Sequence, residues 1–167
     1  MDRVSQAMAQ ETSDSSGSDE PFLLSAGDDE SGLITRTAEV PVQLTQLEQL
    51  SVEYNREAEV LWTIMRPRGR PAFNRAMLRD FVRWQELIAT NFGAGKVPLR
   101  YLVLGSSAPG VFCYGGDLEL FQRLILEQDR DGLVAYGHRC CEILHRNFYS
   151  LDLPILTIGL VQGAALG

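Results

Sequence analysis

The stretch Val111-Phe112-Cys113-Tyr114-Gly115-Gly116-Asp117-Leu118-Glu119-Leu120-Phe121 runs from a short apolar strand through two glycines into a charged, amphipathic helix. A glycine pair at such a junction lets the backbone approach another group closely. The helix behind it aims bare N–H groups and the positive end of its dipole at that group. Such an arrangement suits a phosphate, or the oxyanion that develops on a carbonyl. A tight turn is the commoner use of a glycine pair, so the stretch gains meaning only with a partner elsewhere in the chain.

The surrounding sequence alternates strands and helices. Upstream, Leu50, Val52 and Tyr54 alternate with Ser51 and Glu53, the period of a half-buried strand. Val60, Trp62 and Ile64 repeat the signal as the inward residues of a second strand, with Asn55-Arg56-Glu57 as the hairpin turn. The loop Arg66-Pro67-Arg68-Gly69-Arg70-Pro71 follows, and Asn74 offers an N-cap. Met77, Leu78, Phe81, Val82, Trp84, Leu87 and Ile88 recur at helical spacing, with Arg75, Arg79, Asp80 and Arg83 assigned to the polar side. Tyr101 to Gly105 reads as a buried strand. Beyond the glycine pair, helices are predicted over Leu118–Glu127 and Gly132–Phe148, and a last strand over Pro154–Val161. This order argues an α/β domain over 44–167.

Residues 1–43 read differently. They are rich in Ser, Asp, Glu and Gly, and cannot bury enough apolar surface to offset the entropy of ordering, which predicts a disordered acidic tail. The formal net charge is −7. Residues 1–40 hold nine acidic and two basic side chains and account for all of it; the rest holds thirteen of each. The body therefore has no charge excess to recruit nucleic acid, and the aromatic–basic interleaving of single-strand binders is absent. No apolar run reaches the eighteen or so residues that span a bilayer, and the N-terminus lacks a signal-peptide core, so the expectation is a cytoplasmic protein without a membrane segment. Three cysteines, two of them adjacent, suit reduced thiols.

Other candidate chemistry is weaker. His138, Cys141, Glu142 and His145 share one helical face and could in principle hold a metal. Cysteine is among the most buried residue types, so packing is the commoner role for that face, and no metal is expected. The Arg66–Arg70 loop with Arg75 could meet phosphates or simply be solvated. Cys113, beside the glycine pair, has apolar neighbours and reads as a buried thiol. The P-loop and dinucleotide fingerprints are missing, and no nucleophile elbow surrounds Ser106 or Ser107.

Two segments read together give a resemblance. VFCYGGDLELF, and PILTIGLVQGAALG at Pro154–Gly167, resemble the two oxyanion-hole segments of the crotonase (enoyl-CoA hydratase/isomerase) superfamily. GRPAF at Gly69–Phe73, VLGS at Val103–Ser106, GGDLELFQRLI at Gly115–Ile125 and YGHRCCEILH at Tyr136–His145 are similar to the diffusible-signal-factor synthases within it. The resemblance implies the N-terminal part of a crotonase (ββα-spiral) fold, acting on an acyl-CoA or acyl-carrier-protein thioester with no bound cofactor. It implies that the Gly116 N–H is one oxyanion donor, that Gly115 permits close approach, and that Tyr114 and Gly167 line the substrate site. The second donor would follow Gly167, as would both acid/base glutamates, so these 167 residues alone are expected to be inactive. Glu119 is expected to be peripheral. The implied partners are an acyl carrier protein and a sensor-kinase regulator, with homo-oligomers common in the family. A noncatalytic binding or regulatory module is the alternative expectation.

Overall fold

In the computed structural model, residues 41–93 and 96–166 are described. The expectation of a disordered tail falls, up to residue 40, outside the described residues. A single helical turn, α1 (Val42–Thr45), leads into the hairpin β1 (Leu50–Asn55) and β2 (Val60–Met65). Helix α2 (Arg75–Asn91) then carries the chain to β3 (Tyr101–Ser106). The glycine junction follows β4 (Val111–Cys113) and opens α3 (Leu118–Leu126), succeeded by α4 (Arg130–Phe148), β5 (Leu156–Gly159) and β6 (Ala164–Ala165).

The main sheet has the order β1-β2-β3-β5. β1 and β2 pair antiparallel, whereas β2, β3 and β5 are parallel neighbours. A parallel pair needs a crossover, and α2 supplies it between β2 and β3. α3 and α4 together return the chain from β4 to β5 beside β3. Each unit is thus strand, strand, helix, with the helix laid back on one face of the sheet.

Helix α2 forms where its sequence allows. Asn74 caps it, its side chain accepting the Met77 N–H at 2.9 Å. Met77, Leu78, Phe81, Trp84 and Ile88 are all buried in the core. Phe81 and Trp84 meet edge to face with centroids 5.7 Å apart. Asp80 departs from the sequence reading, because it is buried rather than on the polar side. Its carboxylate accepts the backbone N–H of Gln49, ahead of β1. A buried carboxylate with that partner satisfies an amide which the strand ladder leaves free.

Strand β2 also corrects its expectation. Leu61, Thr63 and Met65 are buried, whereas Trp62 is 39% exposed. Alternation alone leaves two faces equally eligible, and the hairpin register chooses between them. Leu50 pairs with Met65, Val52 with Thr63 and Tyr54 with Leu61, and directly opposed residues share a face. The Trp84 indole then donates to the Thr63 hydroxyl at 2.9 Å, fastening α2 to that face. The last strand is shorter than expected, Leu156–Gly159, and forms the sheet edge with Leu156 exposed.

Candidate functional site

The two segments paired by resemblance lie side by side. β4 and β6 form a separate two-stranded parallel sheet, with Val111 opposite Ala164 and Cys113 opposite Ala165. Ala164 donates to the Gly110 carbonyl at 3.0 Å, and Leu166 to the Cys113 carbonyl at 2.8 Å. The turn that aims β6 at β4 is Gly163, with φ of 75°. A Cβ there would lie 2.2 Å from the Gly110 oxygen, so only glycine lets the strands meet. Gly167, which the resemblance places in the substrate site, lies outside the described residues.

The loop after β4 is held from several sides. Tyr114 donates to the Pro71 carbonyl at 2.7 Å, and Phe73 donates to the Gly115 carbonyl at 2.9 Å. Gly115, at φ of 76°, turns its own N–H onto the Cys113 sulfur at 3.1 Å. Asp117 donates its N–H to the Tyr136 hydroxyl at 3.1 Å. Its carboxylate accepts the Leu120 N–H at 3.0 Å, capping α3. Three of the four amides from Tyr114 to Asp117 therefore have acceptors. The fourth, Gly116 N–H, has none among the described residues.

Tyr136 was missed as a site residue by the sequence reading. From α4 its buried hydroxyl donates to the Phe73 carbonyl at 2.7 Å while accepting the Asp117 N–H. It joins the GRPAF loop to the glycine junction. Burial pushes this hydroxyl's pKa well above the ordinary tyrosine value, so it stays a neutral donor. The Phe121 ring packs edge to face on Tyr136, with centroids 5.0 Å apart. A Cβ on Gly116 would meet the edge of that ring at 3.0 Å, leaving the second glycine little room for a side chain. In the sequence Tyr136 stood only as the first residue of the YGHRCCEILH resemblance, and it shares a helix face with Leu133, Cys140 and Ile143, which signals packing rather than a site.

Behind the β4–β6 pair lies an apolar cavity of about 380 Å³. Phe73, Phe81, Leu104, Phe112, Ile143, Leu144 and Leu166 line it, with Cys113 and Cys140. No carboxylate stands in its wall among the described residues. Burial pushes both cysteine thiols up from their ordinary pKa, for Cys113 against the opposing Gly115 backbone bond. Both are therefore poor nucleophiles near neutral pH, and the buried-thiol reading of Cys113 holds. Glu119 is exposed in the first turn of α3. Tyr114 is partly buried beneath the Arg70 guanidinium, which sits 5.4 Å from its ring centroid.

The proposed packing face of α4 turns out differently. His138, Cys141, Glu142 and His145 are all exposed, and Cys140 rather than Cys141 faces inward. Ile143 and Tyr136 supply the buried stripe of this helix instead. No cluster of three or more metal-ligating side chains occurs among the described residues. No helix there is long and apolar enough to cross a membrane.

Strand pairs, crossover helices and a glycine junction docked against a second glycine-bearing strand define the N-terminal part of the crotonase fold. Among solved structures the chain is similar to DspI of Pseudomonas aeruginosa, with a TM-score of 0.56 and 18% identity over 71% of this chain and 40% of that one. It is also similar to an enoyl-CoA hydratase from Thermoplasma volcanium, at 0.54 and 18%, covering 71% and 42% of the two chains. For an enoyl-CoA hydratase from Bacillus anthracis the TM-score is 0.53 and the identity 22%, covering 72% and 42%. The chain thus spans about two fifths of the length of these structures. Neither the protein-family models nor the curated proteins provide a match.

Proposed function

We propose that the glycine junction is half of an acyl-thioester site of the enoyl-CoA hydratase type. The observation that carries this reading is the Gly116 amide, which has no acceptor among the described residues while its neighbours are bonded. Fixed, unpaired N–H donors stabilise charge that develops on a thioester oxygen, and losing one typically costs about 10²–10³ in rate. The second donor comes from the segment entered through Ala164–Leu166, which β4 holds beside the first. Tyr136 is a positioning residue, fixing the peptide next to the donor.

The apolar cavity behind these strands suits an acyl chain, since its described wall offers no charge. The described wall holds no carboxylate, and by the resemblance the acid/base carboxylates of the family fall after the second glycine segment. On this reading the 167 residues bind a thioester but turn it over slowly, if at all. The motif resemblance favours a 3-hydroxyacyl group on an acyl carrier protein, dehydrated towards a cis-2-unsaturated fatty acid signal in the cytoplasm, over a coenzyme A thioester.

A carbon-13-labelled thioester tests the donor directly. Bound to the 167-residue chain, an acyl-CoA and an acyl-carrier-protein thioester should show a carbonyl stretch moved to lower frequency. Gly116→Pro, which removes the N–H, should abolish that shift. Tight binding with an unmoved carbonyl would overturn the oxyanion role. Rapid turnover by the 167-residue chain would overturn the assignment of the carboxylates.

A further inference from the structure

Helix α2 presents Arg75, Arg79 and Arg83 at spacings of four residues, a row about 12 Å long on its outward face. Arg139 of α4 faces the row across a groove of about 720 Å³, with Glu86 and Tyr136 in its walls. Acidic compensation here is thin. Glu48 lies 3.9 Å from Arg79 but is bound at 3.1 Å to Arg68, and Glu142 pairs with Arg139 at 3.2 Å. Arg75 and Arg83 have no carboxylate within 4.0 Å among the described residues. A concave row of guanidinium groups is a receptor for carboxylates, because each can make paired, charge-assisted hydrogen bonds.

The chain holds a matching ligand. Its entire formal charge of −7 is accounted for by residues 1–40, where Asp28-Asp29-Glu30 is the densest run. The described structure begins at Pro41, and α1 immediately after it packs against α2. Ten residues separate Glu30 from Pro41, and the eleven steps between them span up to ~40 Å, ample to reach a 12 Å row. A tether this short presents carboxylates at millimolar effective concentration, so even a weak contact is populated. We propose that the Asp28–Glu30 run occupies the arginine groove between α2 and α4 of its own chain. It thereby excludes external anions from that face. The inference is independent of the thioester reading.

Zero-length carbodiimide coupling tests it on the full 167-residue chain. The substitution R83K keeps the charge and supplies an amine that can couple to a carboxylate. Peptide mapping in dilute buffer should find position 83 joined to Asp28, Asp29 or Glu30 within one molecule. The link should vanish in 1 M salt, where the Debye length falls to about 3 Å. Coupling confined to Glu86 or Glu48, coupling between molecules only, or a salt-insensitive yield would each overturn the proposal. A second measurement needs no crosslinker. If the run covers the groove nine-tenths of the time, neutralising it (D28N/D29N/E30Q) raises affinity for inorganic tripolyphosphate about tenfold. Unchanged affinity, in a variant whose melting curve matches the parent's, would equally overturn it.

Discussion

Replacing Gly163 by alanine tests whether β6 is held against β4 in the way the site requires. Gly163 has φ of 75°, where an L-residue pays roughly 1–2 kcal/mol. The added Cβ would also sit 2.2 Å from the Gly110 oxygen, 2.3 Å from its carbonyl carbon and 2.9 Å from the Val111 nitrogen. All three are backbone atoms, so no side chain can swing aside. Relief requires the strands to part by about 1 Å, which strains the Ala164–Gly110 and Leu166–Cys113 hydrogen bonds of 3.0 and 2.8 Å. Each is worth about 0.5–1.5 kcal/mol. Together the terms come to about 3 kcal/mol, or about 10² in the equilibrium for local opening. Ala164, Ala165 and Leu166 are exposed, so the loss stays local and the global melting temperature moves little. Amide hydrogen exchange is therefore the assay. The Ala164 and Leu166 amides should lose about two orders of magnitude of protection. Gly69→Ala is the control, with φ of 87° and nothing within 4 Å of the added Cβ. It pays backbone strain alone and should leave both amides as they were. Protection of Ala164 and Leu166 within twofold of the parent in Gly163→Ala would refute the reasoning.

Three further outcomes follow from the same contacts. Tyr136→Phe removes the link between the Phe73 carbonyl and the Asp117 N–H, leaving both without that partner. Denaturant unfolding should report a loss of about 1–3 kcal/mol, with weaker thioester binding than Thr63→Val, a variant of similar cost placed away from the junction. Gly137→Ala, inside α4 with nothing within 4 Å of the new Cβ, should stabilise by about 0.5–1 kcal/mol in the same experiment. Cys113, Cys140 and Tyr136 all have pKa values raised by burial, so the unfolded chain gives up these protons first. Their contribution is intact below the ordinary cysteine value of 9.0 and is lost as pH rises towards the folded values. Stability measured from pH 7 to 11 should be level and then fall, with a shallower fall in Tyr136→Phe; a steady rise would contradict the burial.

Local chemistry was legible in the sequence. The apolar spacing and Asn74 set α2, the glycine pair set the junction, and alternation marked β1 and β2 as strands. These depend on neighbours within a turn or two, which periodicity records. Tertiary structure decided which side of β2 faces α2, because Val60-Trp62-Ile64 and Leu61-Thr63-Met65 alternate equally well and only the register with β1 separates them. It buried Asp80, since a carboxylate can leave the polar side when a distant amide needs an acceptor. It chose Cys140 over Cys141, a difference of one position on a helix that depends on the neighbour it packs against. Above all it set β6 on β4 and the Tyr136 hydroxyl between Phe73 and Asp117. The sequence by itself could name Gly116 as a donor by resemblance. The unpaired amide emerged only when segments some fifty residues apart in the chain were packed together, because hydrogen-bond satisfaction is a property of the fold.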